Sequence, residues 1–256
     1  MDDSKKLSNI LGWNRAMFAL HLVQGLVILW LSNGFALPVT TTYLKFNAAI
    51  GKLAPVTETI ADLKIGPMVA AFLFLSALAH FLLTMPGIKD WYFANLKKGI
   101  QPARWIEYSV SSSLMIVVVV MLVGMSDLSS LILIFFMNMM MILFGWVMEL
   151  HNQTTQKTDW TSYLFGCIAG VIPWVIVALY LFGSGSGDAK APSFVYWIFF
   201  SIFIFFNCFA INMFLQYKKI GKWKDYLYGE KVYLILSLVA KSLLAWQVFA
   251  GTLRPV

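Results

Sequence analysis

The sequence has 256 residues, 60% of them hydrophobic and only 12% charged, with a mean hydropathy of +0.76. A soluble domain carries about a quarter charged residues, so a water-soluble globule, a disordered chain, a coiled coil and a collagen are all excluded. What remains is an integral membrane protein with a formal net charge of +7.

A helix needs about 20 apolar residues to cross the hydrocarbon core. Seven runs meet that length: Leu11–Leu31, Gly66–Thr84, Ala103–Gly124, Leu128–Glu149, Thr161–Phe182, Pro192–Gln216 and Lys231–Thr252. Each run is continuous rather than alternating, which predicts helices and not barrel strands. Short connectors predict an all-α membrane protein, one up-and-down bundle forming a single domain over residues 1–256. The first run is too long for the core of a signal peptide, and no small-residue cleavage pattern follows it, so it is expected to stay as the first span. The one long connector, Ser32–Ile65, holds a β-branched run, Val39–Tyr43, among the breakers Gly34, Pro38, Gly51 and Pro55. It predicts a short hairpin over the outer mouth. Cys167 and Cys208 fall inside spans and form no metal or disulfide pattern, so they read as small packing residues.

Thirteen Lys and Arg residues fall on one set of connectors and adjoining span ends, and five on the other. Basic residues collect in cytoplasmic loops, which predicts a cytoplasmic N-terminus and an extracellular C-terminus. The basic inner rim suits anionic membrane lipids. Nucleic acid is not an expected partner, because the charges are spread over several loops and form no groove.

Of the twelve carboxylates, eleven are assigned to loops or span edges, among them Asp2, Asp188, Glu149 and Glu230; only Glu107 lies well inside a span. Lys241 is the one deep cation. The expectation is therefore one acid and one base in the membrane interior. Such a charge costs about 2.5–3.5 kcal/mol on insertion scales and persists where it is paired or used. At about 1.5 Å per residue, Lys241 and His21 lie roughly 15 Å from the inner edge, and Glu107 and His80 roughly 6–9 Å. Helical spacing puts Asn14 and Gln24 on the face of His21, Ser76 with His80, Ser111 with Glu107, and Ser237 with Lys241. Together they predict a polar, hydrated pocket on the cytoplasmic side of Lys241. Plainer readings stay open at this point: a snorkelling lysine, an edge carboxylate paired with Arg104, and hydrogen-bonded core histidines.

A buried amine in its neutral form can attack an aldehyde. The product, a protonated Schiff base, is a buried cation that needs a counterion, and Glu107 is the intramembrane candidate. Tyr108, Met115, Met141, Trp146, Trp174, Phe206 and Trp246 could wall a long polyene, or be plain core and lipid-facing residues.

These features resemble the heliorhodopsins, retinal-binding seven-helix rhodopsins of inverted orientation. The resemblance is carried by Ser237-Leu238-Val239-Ala240-Lys241-Ser242 with Ala245-Trp246-Gln247, by Arg104-Trp105-Ile106-Glu107-Tyr108-Ser109 with Ser111-Ser112-Ser113, and by Ile142-Leu143-Phe144-Gly145-Trp146. Phe165-Gly166-Cys167-Ile168-Ala169-Gly170 with Pro173-Trp174, and Phe35-Ala36-Leu37-Pro38 in the first loop, also fit. It covers nearly the whole chain. It implies retinal, all-trans in the dark, on Lys241, with Glu107 as counterion and a polar cavity including His21, His80, Ser76 and Ser237. It further implies a retinal pocket of Tyr108, Ser112, Met115, Asn138, Met141, Trp174, Phe206 and Asn207, and a homodimer to which the long outer loop contributes. It supplies no cytoplasmic signalling partner, which stays unknown.

A proton pump of the microbial rhodopsin type places a proton donor about three helical turns after the counterion. That position is Val118. The other pump carboxylate, four residues before the lysine, is Ser237. The run Val117–Val120 makes a dry barrier between Lys241 and the outside. The expectation is thus a non-enzymatic light sensor without net ion pumping. The alternatives are a light-driven transporter or channel, a light-modulated enzyme partner, and a retinal-free secondary transporter. The last expects broken helices or inverted repeats, and Pro173 is the one break in the spans.

Overall fold

The computed structural model describes residues 3–183 and 190–254; Asp2 and Asp188, expected in loops, lie outside them. The elements in order are α1 (Asp3–Leu31), β1 (Ala36–Asn47), β2 (Lys52–Lys64), α2 (Ile65–Leu82), α3 (Ile88–Lys97), α4 (Pro102–Leu122), α5 (Leu128–His151), α6 (Thr161–Gly183), α7 (Ser193–Tyr217) and α8 (Tyr226–Val248). Every helix but α3 is long and apolar enough to span a membrane, which makes seven among the described residues. Their outward faces carry large apolar side chains such as Leu133, Leu179 and Trp197. Lipid covers such a surface at no cost, whereas water would not.

Local chemistry sets the ends. Pro102 opens α4, where its missing N–H is no loss. The Asp127 carboxylate caps α5 by accepting from the Ser130 N–H and hydroxyl, at 2.8 and 2.9 Å. Those two donors hold its pKa below the ordinary aspartate value. Gly99, at φ +75°, ends α3, a left-handed stop that glycine takes without penalty. α3 itself lies in a connector too short to span. It is tied down by Tyr92 and Leu96, one turn apart and both buried.

The long connector departs from the expectation in size. It is not a short hairpin but two strands of 12 and 13 residues, roughly 40 Å long at about 3.3 Å per residue. The fold is therefore predominantly rather than wholly α. Strand register runs from Ala36↔Lys64 to Asn47↔Lys52, with a bulge at Val39/Thr40. Pro38 and Pro55 do not break it, because each strand of a two-stranded ribbon has a free edge where a missing N–H is tolerated. Its base is anchored: Val39 enters the core, and Thr40 bonds Ser126 through backbone N–H to carbonyl at 2.8 Å and between hydroxyls at 3.0 Å.

α4 is the most enclosed of the spans. It packs against α2 and α5, with lighter contacts to α6 and α7. Val117, Val118, Val119 and Val120 are buried in the main core with Phe72, Leu73 and Leu244. α8 runs five residues further back than expected, starting at Tyr226, which carries Glu230 into its second turn.

Candidate functional site

Lys241 projects from the middle of α8 and is 3% exposed. Its Nζ donates to Glu107 Oε1 at 2.8 Å and to Ser237 Oγ, one turn back, at 3.0 Å. It lies 4.9 Å from the centre of the Tyr108 ring. Glu107 Oε1 also accepts from Ser76 Oγ at 2.6 Å, a short, charge-assisted bond. The pairing of Glu107 is thus with Lys241 and not with Arg104. Ser111, on the same face of α4, is fully buried.

The histidines stand beside this pair. His21 and His80 stack in parallel, centroids 5.7 Å apart and planes within 1°. His80 Nδ1 meets Asn14 Oδ1 at 2.8 Å, while both His21 nitrogens are buried with no protein partner. Gln24 is elsewhere: its Oε1 accepts from Trp246 Nε1 at 3.0 Å in an exposed contact. Trp246 therefore walls nothing near Lys241. It leaves the chamber because five residues of helix turn its side chain about 140° away from that of Lys241.

Lys241 also lines a cavity of about 520 Å³ running between α4, α5, α6, α7 and α8. Tyr108, Ser112, Met115, Met141, Trp174, Phe206, Asn207 and Ser237 are in its wall. Besides Trp246, two expected wall residues are not. Asn138 sits behind it, donating to Ser112 Oγ and Ser113 Oγ at 2.8 and 3.1 Å, and so braces the wall rather than forming it. Trp146 packs in the cluster of Trp105, Met148 and Tyr233. Phe199, Phe203, Phe209, Met213 and Cys167 line the cavity as well. Gly166 and Gly170 signal its α6 wall, since a Cβ on Gly170 would come 2.6 Å from Met141 Sδ.

The larger departure is a second buried charge group. Arg104, Glu149 and Glu230 are 6%, 1% and 3% exposed. Arg104 donates to Glu149 Oε1 at 2.6 Å through Nη2 and to Glu230 Oε1 through Nη1. Its guanidinium lies between the Trp105 and Tyr233 rings, 4.3 and 3.9 Å from their centres. The buried interior of the bundle thus does not hold a single acid and a single base. Glu149 ends α5, Glu230 begins α8 and Arg104 begins α4, so these edge residues converge where three helix ends meet.

A ligand pocket usually measures about 300–1,000 Å³ and is mostly apolar with a few placed polar groups. This cavity has that size, aromatic and Met walls, and one amine at its head. Those are the requirements of a long polyene aldehyde, so the residues present fit retinal.

The fold recurs in solved rhodopsins. The light-driven proton pump LR from Leptosphaeria maculans matches with a TM-score of 0.65 at 15% identity, over 98% of this chain and 96% of that one. A cyanorhodopsin from the cyanobacterium Tolypothrix matches at 0.61 and 13%, over 94% and 93%. A thermophilic rhodopsin matches at 0.55 and 14%, over 96% and 93%. No sequence among the curated proteins matches. The heliorhodopsin family matches residues 10–253, nearly the full length, and the chain therefore belongs to the heliorhodopsin family.

Proposed function

We propose that this protein is a light sensor that carries retinal, all-trans in the dark, on Lys241 and moves no net ion. One observation carries the reading. The Lys241 amine is buried 2.8 Å from a buried carboxylate, at the head of an apolar cavity large enough for the polyene. Bound there as a Schiff base, retinal supplies light absorption and a photoisomerisable chain. Glu107 compensates the positive nitrogen, with Ser76 orienting the carboxylate. His21, His80, Ser111 and Ser237 supply the polar surroundings of the amine. Tyr108, Ser112, Met115, Met141, Trp174, Phe206 and Asn207 hold the chain, and Asn138 stiffens this wall through Ser112.

The absence of a carboxylate at Val118 and Ser237 supports a sensor over a pump. So does burial of Val117, Val118, Val119 and Val120, at 7% exposure or less, which closes the path beyond Lys241. The likeness to a light-driven proton pump is one of fold. The bias of Lys and Arg supports a cytoplasmic N-terminus in a multi-pass cell-membrane protein. Exposed Leu44, Phe46 and Leu53 on the ribbon support contact between two copies in a homodimer, and the signalling partner would be met on the cytoplasmic side. Adding all-trans retinal to the apoprotein tests the reading. A visible band should form in the parent and fail to form in Lys241→Ala, and a band resistant to hydroxylamine in that variant would refute it.

A further inference from the structure

Between the Lys241 chamber and the Arg104 group lies a second cavity, of about 20 Å³. His80 and Glu107 line it on one side, Arg104, Gln101 and Glu230 on the other, with Tyr233. Four buried polar atoms of these residues have no protein partner: His80 Nε2, Gln101 Oε1, Arg104 Nε and Tyr233 Oη. A buried water needs about 10–15 Å³ and two to four polar partners, so the cavity suits one water.

The roles of these atoms can be assigned. Asn14 Nδ2 donates to the Ile10 carbonyl at 3.0 Å, which turns Oδ1 toward His80. An amide oxygen only accepts, so His80 Nδ1 carries the proton and Nε2 of the neutral ring is an acceptor. Gln101 Oε1 accepts as well, Arg104 Nε donates, and the Tyr233 hydroxyl does either. A water that donates to His80 Nε2 and Gln101 Oε1 and accepts from Arg104 Nε keeps one lone pair for an acid proton on Glu230.

Charge points the same way. Glu149 accepts from Arg104 Nη2, the Tyr226 hydroxyl, Trp105 Nε1 and the Gln101 N–H, at 2.6, 3.1, 2.6 and 2.9 Å. That donor set suits an ionised carboxylate, and it balances Arg104. Glu230 shares the same guanidinium. The other ionisable groups near it, Tyr92, Tyr108, Tyr217, Tyr226 and Tyr233, bring no positive charge. Two ionised glutamates on one arginine would leave a net negative charge buried, which desolvation opposes strongly.

We propose that Glu230 holds a proton at rest and exchanges it with the Lys241–Glu107 chamber through one water in the small cavity. In the forward step the Glu230 O–H bond breaks, and its electron pair stays on the carboxylate. The water takes that proton and gives one of its own to His80 Nε2, leaving an imidazolium near Glu107. The reverse step restores both groups. Beyond Lys241 the buried Val117, Val118, Val119 and Val120 close the bundle, so the path permits exchange without transport. Its use in the light cycle rests on the photoreceptor reading; the resting proton does not.

Infrared spectroscopy of the retinal-free protein at neutral pH tests the resting proton. The parent should show the carbonyl stretch of a protonated carboxylic acid, retained in Glu107→Gln and lost in Glu230→Gln. Glu230→Asp keeps the acid and should move the band. No such band in the parent, or a band unchanged by both Glu230 substitutions, would overturn the proposal. In the retinal-loaded protein, Glu230→Gln should slow the return of the dark spectrum after a flash by about 10²-fold, the scale of a lost proton-transfer group. An unchanged return would overturn it too. If no visible chromophore formed at all, the photoreceptor reading would fall, and the infrared result would still decide the proton on Glu230.

Discussion

The Lys241 ammonium and the Glu107 carboxylate hold each other in a dry interior, and each is expensive alone. Removing one partner of a buried ion pair typically costs about 3–5 kcal/mol, because the other is left uncompensated. Lys241→Ala should therefore lower the unfolding temperature in detergent, and Lys241→Ala combined with Glu107→Gln should recover much of the loss. A double variant no more stable than the single would show that the pair is not energetically coupled. Glu107→Gln alone tests the carboxylate in the loaded protein. The anion holds positive charge at the Lys241 nitrogen in the ground state, and excitation moves that charge toward the far end of the polyene. Without the anion, absorption should shift to the red. The unpaired buried cation should also give up its proton more readily, so an ultraviolet-absorbing form should appear at lower pH than in the parent. His21→Ala and His80→Ala should move that titration less, since a neutral imidazole cannot replace an anion. If Glu107→Gln changed neither the absorption maximum nor the titration, the counterion would have to be sought elsewhere. Lys241 and Glu107 were legible in the sequence because a charge in lipid stands out against its neighbours. Glu149 and Glu230 were not, because a charge at a span edge looks the same whether it faces water or turns inward.

At the scale of elements, close approach and capping carry the consequences. A Cβ on Gly145 of α5 would lie 2.6 and 2.7 Å from Trp105 ring atoms Cζ3 and Cη2. Gly145→Ala must push the indole away, and with it the 2.6 Å bond from Trp105 Nε1 to Glu149. Overpacking of this kind typically costs about 1–3 kcal/mol, measurable as a lower thermal midpoint; an unchanged midpoint would mean that the ring moves aside freely. The Asp127 cap gives a pH-dependent case. Its folded pKa is depressed, so its contribution is complete above the ordinary aspartate value of about 3.9 and is lost as pH falls through the folded value. Asp127→Ala should thus be less stable than the parent at neutral pH, and the gap should close in strong acid. A gap that persisted there would contradict the cap. The ribbon and α3 show what element-level reading misses. Pro38 and Pro55 suggested breaks, yet they lie in strands whose edges are free. α3, with 10 residues, is half the length that marks a span, and only its docking on the bundle through Tyr92 and Leu96 makes it a helix worth forming.

For the whole molecule, the decisive measurement is transport. Illuminated cells expressing the protein should show no sustained change of medium pH and no steady current. A protonophore-sensitive pH shift would replace the sensor with a pump. Orientation follows from the charge bias: a tag at the N-terminus should be protected from protease in intact cells and cleaved after permeabilisation, and the opposite pattern would reverse the reading.

Seven spans follow from composition alone, because hydrocarbon thickness converts directly into a run of apolar residues, and no other structure of those runs satisfies the backbone in lipid. Lys241 and Glu107 follow from the same rule, read as its exceptions. What the tertiary structure decided is direction around each helix axis. Depth along the membrane normal can be counted along the chain, but azimuth is set by packing against neighbours. Packing turned Asn138 to the back of the wall, sent Gln24 and Trp246 outward, and brought Arg104, Glu149 and Glu230 from three helix ends into one buried group.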